Sequence, residues 1–365
     1  MDLMDIARQR LYQQRLCGAP FGSPEEAVAT LGAVQAQDYA GARWALGQRL
    51  RGVTDADIEH AFETGVILRT HMLRPTWHFV TPADIRWILA LTAPRVNQAN
   101  AFMYRKLELD EAVFGVSNAT IAATLQGGQQ LTRGELAETF ERAGIAAAGL
   151  RLGYLLMRAE LDGLICSGPR RGKQFTYALL DERAPGGVAL TGDDALAELA
   201  RRYFATRGPA TTRDFAMWSG LSVTEAKHGL ELVKNHFESW SQDGLTYWFD
   251  ASATPPLPGA PAFHLLPNYD EYFIGFADRR ALAQRLGGIA LEPSELLSHS
   301  IFIDGQMVGS WRRAAQRGAA VIEMRLHTPI SEAEAAGLHE AAENYGAFLE
   351  MPVLRSNLSS VFDQR

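Results

Sequence analysis

Apolar positions recur at helical spacing through the first stretch of the chain, with Leu3, Ile6, Ala7 and Leu11 on one face of residues 3–16. Ser23-Pro24-Glu25-Glu26 opens a second helix: serine as cap, proline in the first turn, acids at the positive end of the helix dipole. Residues 54–63 predict a third helix, capped by Thr54 or Asp55 and stopped by Gly65. From Val66 to Thr81 the pattern changes to alternation, which predicts two short strands joined near Leu73-Arg74-Pro75. Helices followed by a two-stranded hairpin are the element order of a winged helix-turn-helix.

That order comes round twice more. Residues 118–127, 132–143 and 150–161 read as helices, the second opened by the capping box of Thr132 and Glu135. Two strands, residues 164–168 and 174–180, then flank a basic turn, Gly168-Pro169-Arg170-Arg171-Gly172-Lys173. A third round runs through helices at 193–208, near Thr212 and at 222–234, to a hairpin across Asp243-Gly244. Repetition of elements at the spacing of a small domain is the mark of tandem modules. A proline-rich connector, Ala253–Pro261, leads to a tail with a hairpin at Asp304-Gly305, a strand over 319–326 and a last helix from Ser331 to Leu349. The expected fold is therefore α+β and mainly helical. It has three winged units, residues 1–105, 106–185 and 186–255, and a small C-terminal α/β extension, residues 256–365, packed on the third.

Composition bounds this picture without redirecting it. At 365 residues, with 47% hydrophobic and 21% charged residues, the chain reads as several packed globular units. No apolar run is long enough to span a bilayer, and the acidic start lacks the apolar core of a signal peptide. Two isolated cysteines, Cys17 and Cys166, make neither a disulfide framework nor a zinc site, so a reducing cytoplasm is expected. The net charge of −7 argues against a nucleic-acid partner on average, but binding depends on clustering of the cations rather than on their sum. The chain has no G-x-G, no Walker lysine motif and no H-E-x-x-H, which weakens the readings as a dinucleotide enzyme, an NTPase or a zinc hydrolase.

Four segments carry candidate chemistry. In Gln35-Ala36-Gln37-Asp38, two amides flank a small residue in an apolar stretch. If extended, they point the same way; alternatively they satisfy backbone groups at a helix end. Arg69, His71, Arg74, Thr76, Trp77 and His78 interleave cations with an aromatic, as suits a phosphate backbone and a base face, or else form an ordinary wing with Trp77 in its core. Arg170, Arg171 and Lys173 form a cationic turn able to track phosphates, or a solvated loop. In Leu265-Leu266-Pro267-Asn268-Tyr269-Asp270-Glu271-Tyr272, Asp270 binds substrate or caps the following turn.

Three of these segments, Gln35-Ala36-Gln37, Arg74 to Val80 (RPTWHFV) and Leu265 to Arg279 (LLPNYDEYFIGFADR), stand in the order found in winged-helix DNA glycosylases of the AlkZ/YcaQ type. The resemblance spans almost the whole chain. It implies three winged units around a concave, DNA-sized channel, excision of N7-alkylated purines, and in some members unhooking of interstrand crosslinks. It implies catalysis by Gln35 and Gln37; Asp38 and Asp270, read from their own segments, are accessory candidates. Gln37 stands where the YcaQ branch has aspartate, so the chain is similar to the AlkZ branch. The expected partner is double-stranded DNA carrying alkylated bases, bound by a nucleoid-associated cytoplasmic monomer with no cofactor and no metal. A non-catalytic winged-helix DNA-binding protein or regulator is the alternative.

The residue types restrict the chemistry further. A neutral amide cannot take up a proton near pH 7, so Gln35 and Gln37 can orient a water but are poor bases. Orientation suffices only for a bond already weakened. N7- or N3-alkylation makes the purine cationic and lets it leave neutral, while amide oxygens face the developing oxocarbenium charge. If the loop turns, Asp38 supplies a base. Bulky lesions resist being flipped into a tight pocket, so an open channel is expected.

Overall fold

The computed structural model describes residues 2–252, 261–289, 298–316 and 318–360. Positions 253–260 of the expected proline-rich connector lie outside the described residues. The N-terminal amphipathic stretch forms helix α1 (Leu3–Gln13). After it the chain forms α2 (Pro24–Leu31), strand β1 (Val34–Gln35), α3 (Tyr39–Gly47), α4 (Asp55–Glu63), β2 (Leu68–Met72) and β3 (Thr76–Val80), with the strands ordered β1-β3-β2. A 22-residue helix, α5 (Ile85–Lys106), leads away from it. Next come α6 (Glu111–Leu125), β4 (Leu131–Thr132), α7 (Arg133–Arg142), α8 (Leu150–Leu161), β5 (Ile165–Arg171) and β6 (Gln174–Leu179), ordered β4-β6-β5. The short α9 (Leu180–Arg183) follows, then α10 (Gly192–Arg207), α11 (Thr212–Ser219), α12 (Val223–Val233), β7 (Glu238–Gln242) and β8 (Leu245–Phe249).

One connectivity thus runs through the chain three times: helix, short strand, two helices, hairpin. In the third round the short strand shrinks to a single antiparallel bridge between Ala210 and Trp248 of β8. The caps follow the sequence. Ser23, Thr54 and Thr132 each accept a backbone N–H from the first turn of the helix they precede. The Asp-Gly pairs at 243–244 and 304–305 have positive φ at both residues, as a two-residue hairpin turn requires.

Two helices depart from the sequence expectation. No element was expected over α3 or α5. The first follows Asp38, whose side chain caps it, and the second contains Pro94, ordinarily a stop signal. The tail is also larger than one hairpin and a strand. β9 (Phe263–Leu266), α13 (Glu271–Ile274), β10 (His299–Ile303), β11 (Gln306–Gln316), β12 (Ala319–Leu326), α14 (Glu332–Phe348) and β13 (Val353–Ser360) build a five-stranded sheet, β13-β12-β11-β10-β9, closed by the parallel pair β12–β13.

The cores do not follow the repeats. One cluster joins Leu68, Met72 and Val80 of the first hairpin to Trp87 and Ile88 of α5, Tyr203 and Phe204 of α10, and Trp218 and Phe276. A second joins the other face of that sheet, through Val34 of β1 and Phe79 of β3, to the C-terminal sheet through Leu265, Ile301 and Trp311. The segment from Tyr104 to Tyr177 forms a separate cluster. The first sheet is therefore packed on both faces, the setting in which strand alternation no longer distinguishes inside from outside.

Candidate active site

Gln35 ends β1 and pairs in register with His78 of β3, which pairs in turn with Thr70 of β2. Directly opposed residues of antiparallel strands share a face, so the three side chains form a row across the sheet. The ladder continues for one bond beyond β1, from Ala36 N–H to Trp77 O at 2.7 Å. The backbone is therefore extended through Ala36 and bends at Gln37 and Asp38. Gln35 is recessed, 6% exposed, whereas Gln37 is exposed at the open end of the sheet.

Gln35 is held at both ends. Its backbone N–H donates to Glu271 Oε1 at 2.8 Å, and its side-chain Oε1 accepts from Arg74 Nη2 at 2.8 Å. A guanidinium can only donate, so the amide atom facing Arg74 is the oxygen and the NH2 group points away from it. Among the described residues that NH2 has no hydrogen-bond partner. Gln37 Oε1 accepts the Trp77 N–H at 3.4 Å, which fixes its amide in the same sense.

Arg74 reaches Gln35 because of a close approach between two segments. Gly220 ends α11 with φ +74°, and a Cβ there would lie 2.0 Å from Leu73 O in the β2–β3 turn. Glycine alone permits that contact. It brings the Arg74 guanidinium onto the last carbonyls of α11, Trp218 O at 2.9 Å and Met217 O at 3.3 Å, where the helix dipole favours a cation.

Glu271 is the hub behind the glutamines. It is fully buried and accepts from Arg207 Nη2 at 2.6 Å, Arg207 Nε at 3.2 Å and Trp218 Nε1 at 2.8 Å, besides the Gln35 N–H. Burial opposes its ionisation, but Arg207, the Gln35 N–H and Arg74 outweigh that and hold the carboxyl below its ordinary range. Arg207 also donates to Leu31 O and Ala33 O, the carbonyls leading into β1. The neighbouring Asp270 takes a two-pronged bond from Arg49, 2.8 Å on each oxygen, and accepts the Tyr272 N–H at the start of α13. Of its two expected roles, the cap is the one observed. Asp270 and Glu271 thus bind arginines from the ends of α3 and α10, and the Glu271–Arg207 pair holds α10 against β1.

The remaining expected residues divide by accessibility. Asp38 accepts the Gly41 N–H at 3.2 Å as the cap of α3. Arg69 is 4% exposed, donates to Ala36 O and stacks on Trp77 and Phe175, with its guanidinium carbon 4.5 and 4.4 Å from the ring centroids. His71 is buried and hydrogen-bonded to Glu160, which also accepts from Trp77 Nε1 at 3.3 Å. His78 is wholly buried, its Nδ1 on Thr76 O at 2.9 Å. The stretch from Arg69 to His78, expected as a basic surface, turns Arg69, His71 and His78 inward. The reason is that α5 covers one face of β2 while α8 and β5 cover the other. Thr76, Trp77 and Arg74 keep partial exposure. On the basic turn, Arg170 pairs with Glu59 at 3.2 Å and Arg171 with Glu135 at 2.8 Å. Lys173 is exposed, with no ion pair among the described residues. Sequence reading missed Glu271, Arg207 and Trp218. The acid lay inside a motif already noticed, but nothing local marks its partners.

Burial also makes a pH prediction. It drives His78 down to about 3, with Arg74 adding to the effect, and His264 down to about 4, helped by Arg49. Unfolded histidine takes a proton near pH 6.5 and these two cannot, so the native state loses stability as pH falls from about 6.5 towards those values. At pH 5 the two together are expected to cost about 4 kcal/mol. Thermal unfolding at pH 7.5 and pH 5 checks this: the melting temperature should fall by several degrees, and an unchanged value would contradict it.

The model of the AlkZ-like DNA glycosylase family matches residues 28–348. An interstrand DNA cross-link repair glycosylase of Streptomyces sahachiroi is 25% identical, over 83% of this chain and 85% of that protein. The solved structure of Streptomyces sahachiroi DNA glycosylase AlkZ superposes with a TM-score of 0.80 at 20% identity, covering 98% of this chain and all of that one. The matched span contains both glutamines, the Arg74 turn and the Asp270-Glu271 clamp, and the chain belongs to the AlkZ-like DNA glycosylase family.

Proposed function

We propose that the chain is a DNA glycosylase that hydrolyses the N-glycosidic bond of purines made cationic by N7 or N3 alkylation, and that it unhooks crosslinks joined through such bonds. The observation that carries this reading is the pair of oriented amides at the end of one short strand, Gln35 with an NH2 that has no partner among the described residues and Gln37 exposed. A water between them donates to one amide oxygen and accepts from the other amide's NH2, leaving a lone pair for C1′. The new bond forms from water oxygen to C1′ as the C1′–N9 pair leaves with the purine, which departs neutral. Neither amide can hold the proton the water then sheds. The Asp38 oxygen that does not cap α3 is the carboxylate next in the chain to receive it. Amide oxygens stabilise the developing sugar cation, and the negative Glu271 offsets the nearby guanidinium charge of Arg74 and Arg207.

The threefold element order supports three winged units, with the DNA-facing surface on the side where Gln37, Trp77 and the β5–β6 turn are exposed. Double-stranded DNA carrying alkylated bases is the partner, bound by one chain. Exposed Lys173 at the turn tip is its electrostatic contact. Lys173→Ala should lower affinity a few-fold near 0.1 M salt and reduce the slope of log affinity against log salt by about 1. An unchanged slope would remove the β5–β6 turn from the interface.

Abasic-site formation in N7-methylated duplex DNA tests the enzyme reading against the alternative of a non-catalytic DNA binder. Abasic sites that accumulate with enzyme concentration support the glycosylase. Salt-sensitive binding with no abasic sites supports the binder.

A further inference from the structure

A cavity of about 560 Å³ lies on the far side of the first sheet from Gln35, between β2–β3 and the first turn of α7. Arg69, Trp77, Phe175, Ser167, Arg133 and Gly134 are among its walls. Its volume falls in the range of small-molecule sites. Its chemistry is one-sided: two guanidiniums contribute and, among the described residues that line it, there is no carboxylate. Glu135, at the same helix end, is occupied by Arg171 and by the Thr132 cap. Glu160 is occupied by His71 and Trp77.

Arg69 is the built element of this site. Its Nε is fixed on Ala36 O at 3.1 Å and its Nη1 on Ser167 Oγ at 3.4 Å, while stacking on two rings sets its plane. Its second Nη has no hydrogen-bond partner among the described residues, although the side chain lies almost wholly inside the protein. A buried guanidinium normally finds acceptors for its donors, so an open donor on a cavity wall marks a place for an anion. Across the cavity, the first N–H groups of α7 have no intrahelical partners, and Gly134 leaves that backbone open: a Cβ there would meet nothing closer than Thr132 Oγ1 at 4.0 Å. The remaining wall, with Leu152, Phe175 and Tyr177, is apolar and aromatic. One end therefore suits a phosphate and the other a flat ring.

We infer that this cavity binds a nucleoside monophosphate unit, its phosphate between Arg69 and Arg133 and its base against the apolar wall. The unit is either a free nucleotide or an extrahelical nucleotide of a bound strand. The second source rests on the DNA-binding reading above. In that case the cavity holds a nucleotide beside the lesion while Gln37, one strand over from Trp77, faces the reacting sugar. Binding here does not require base release, so the two readings fail separately.

The test uses the full chain, with calorimetric titration of deoxyguanosine 5′-monophosphate and of deoxyguanosine, and affinity for a duplex with a one-nucleotide bulge against a flush duplex. Arg133→Gln is the working variant: Arg133 is exposed and its Nη2 bond to Gly149 O, at 3.3 Å, lies at the surface, so its loss should shift the melting temperature little. Ser167→Ala is the second variant. If the ligand is a free nucleotide, the monophosphate should bind at least tenfold tighter than the nucleoside, and Arg133→Gln should erase that difference. If it belongs to a strand, the variant should erase a preference for the bulged duplex instead. Either result supports the site. Wild-type protein that shows neither preference, or preferences that survive both variants, would overturn it.

Discussion

Glu271→Ala is expected to lower the unfolding free energy by about 3–5 kcal/mol, a large part of what holds an ordinary domain folded. The carboxylate and its Arg207 partner are both fully buried. Deleting the acid leaves a guanidinium in the interior with no carboxylate partner among the described residues, its remaining acceptors being the carbonyls of Leu31 and Ala33 and the Thr206 hydroxyl. Trp218 Nε1 and the Gln35 N–H lose their acceptor at the same time. Glu271→Gln keeps the shape and one acceptor oxygen, so it should fall between the two. Chemical denaturation of the three proteins checks the order. An alanine variant within 1 kcal/mol of the parent would show that the hub does not hold α10 and β1 together.

Gln37→Ala and Gln35→Ala are each expected to slow base release about a hundredfold, the scale of losing one preorganised polar group in an active site. They should differ in everything else. Gln37 is exposed and, among the described residues, hydrogen-bonds through its side chain only to the Trp77 N–H, so its loss should change stability by less than about 0.5 kcal/mol. Gln35 accepts from Arg74, a mostly buried cation whose charge burial already disfavours. Its loss should cost about 1–3 kcal/mol as well as rate. Single-turnover rates measured alongside thermal melts separate the two effects. A Gln37→Ala enzyme at parental rate would exclude its amide from the chemistry.

The glutamine pair was legible because two amides in an apolar stretch stand out, whereas the bend that begins at Gln37 was not. The sequence could not say which face of the sheet would meet solvent. Arg69, His71 and His78 read as a basic strand, yet β2 is covered on both sides and all three turn inward. The caps at Ser23, Thr54 and Thr132 and the two Asp-Gly turns were legible because they are local. The α5 helix was hidden by Pro94, ordinarily a stop signal. The Asp270-Glu271 clamp was half legible: Asp270 stood out, but Glu271 did not, and Arg49 and Arg207 lie 221 and 64 residues away. Only the fold brings them to the acids.

Two oriented amides are proposed to suffice because the base is already cationic, and two lesions placed separately in the same duplex sequence test this. One duplex carries 7-methylguanine, cationic at its imidazole. The other carries 7-methyl-7-deazaguanine, the same shape with carbon at position 7 and no charge. Single-turnover base release should be rapid from the first and undetectable from the second. Equal release from both, or none from 7-methylguanine, would contradict the account.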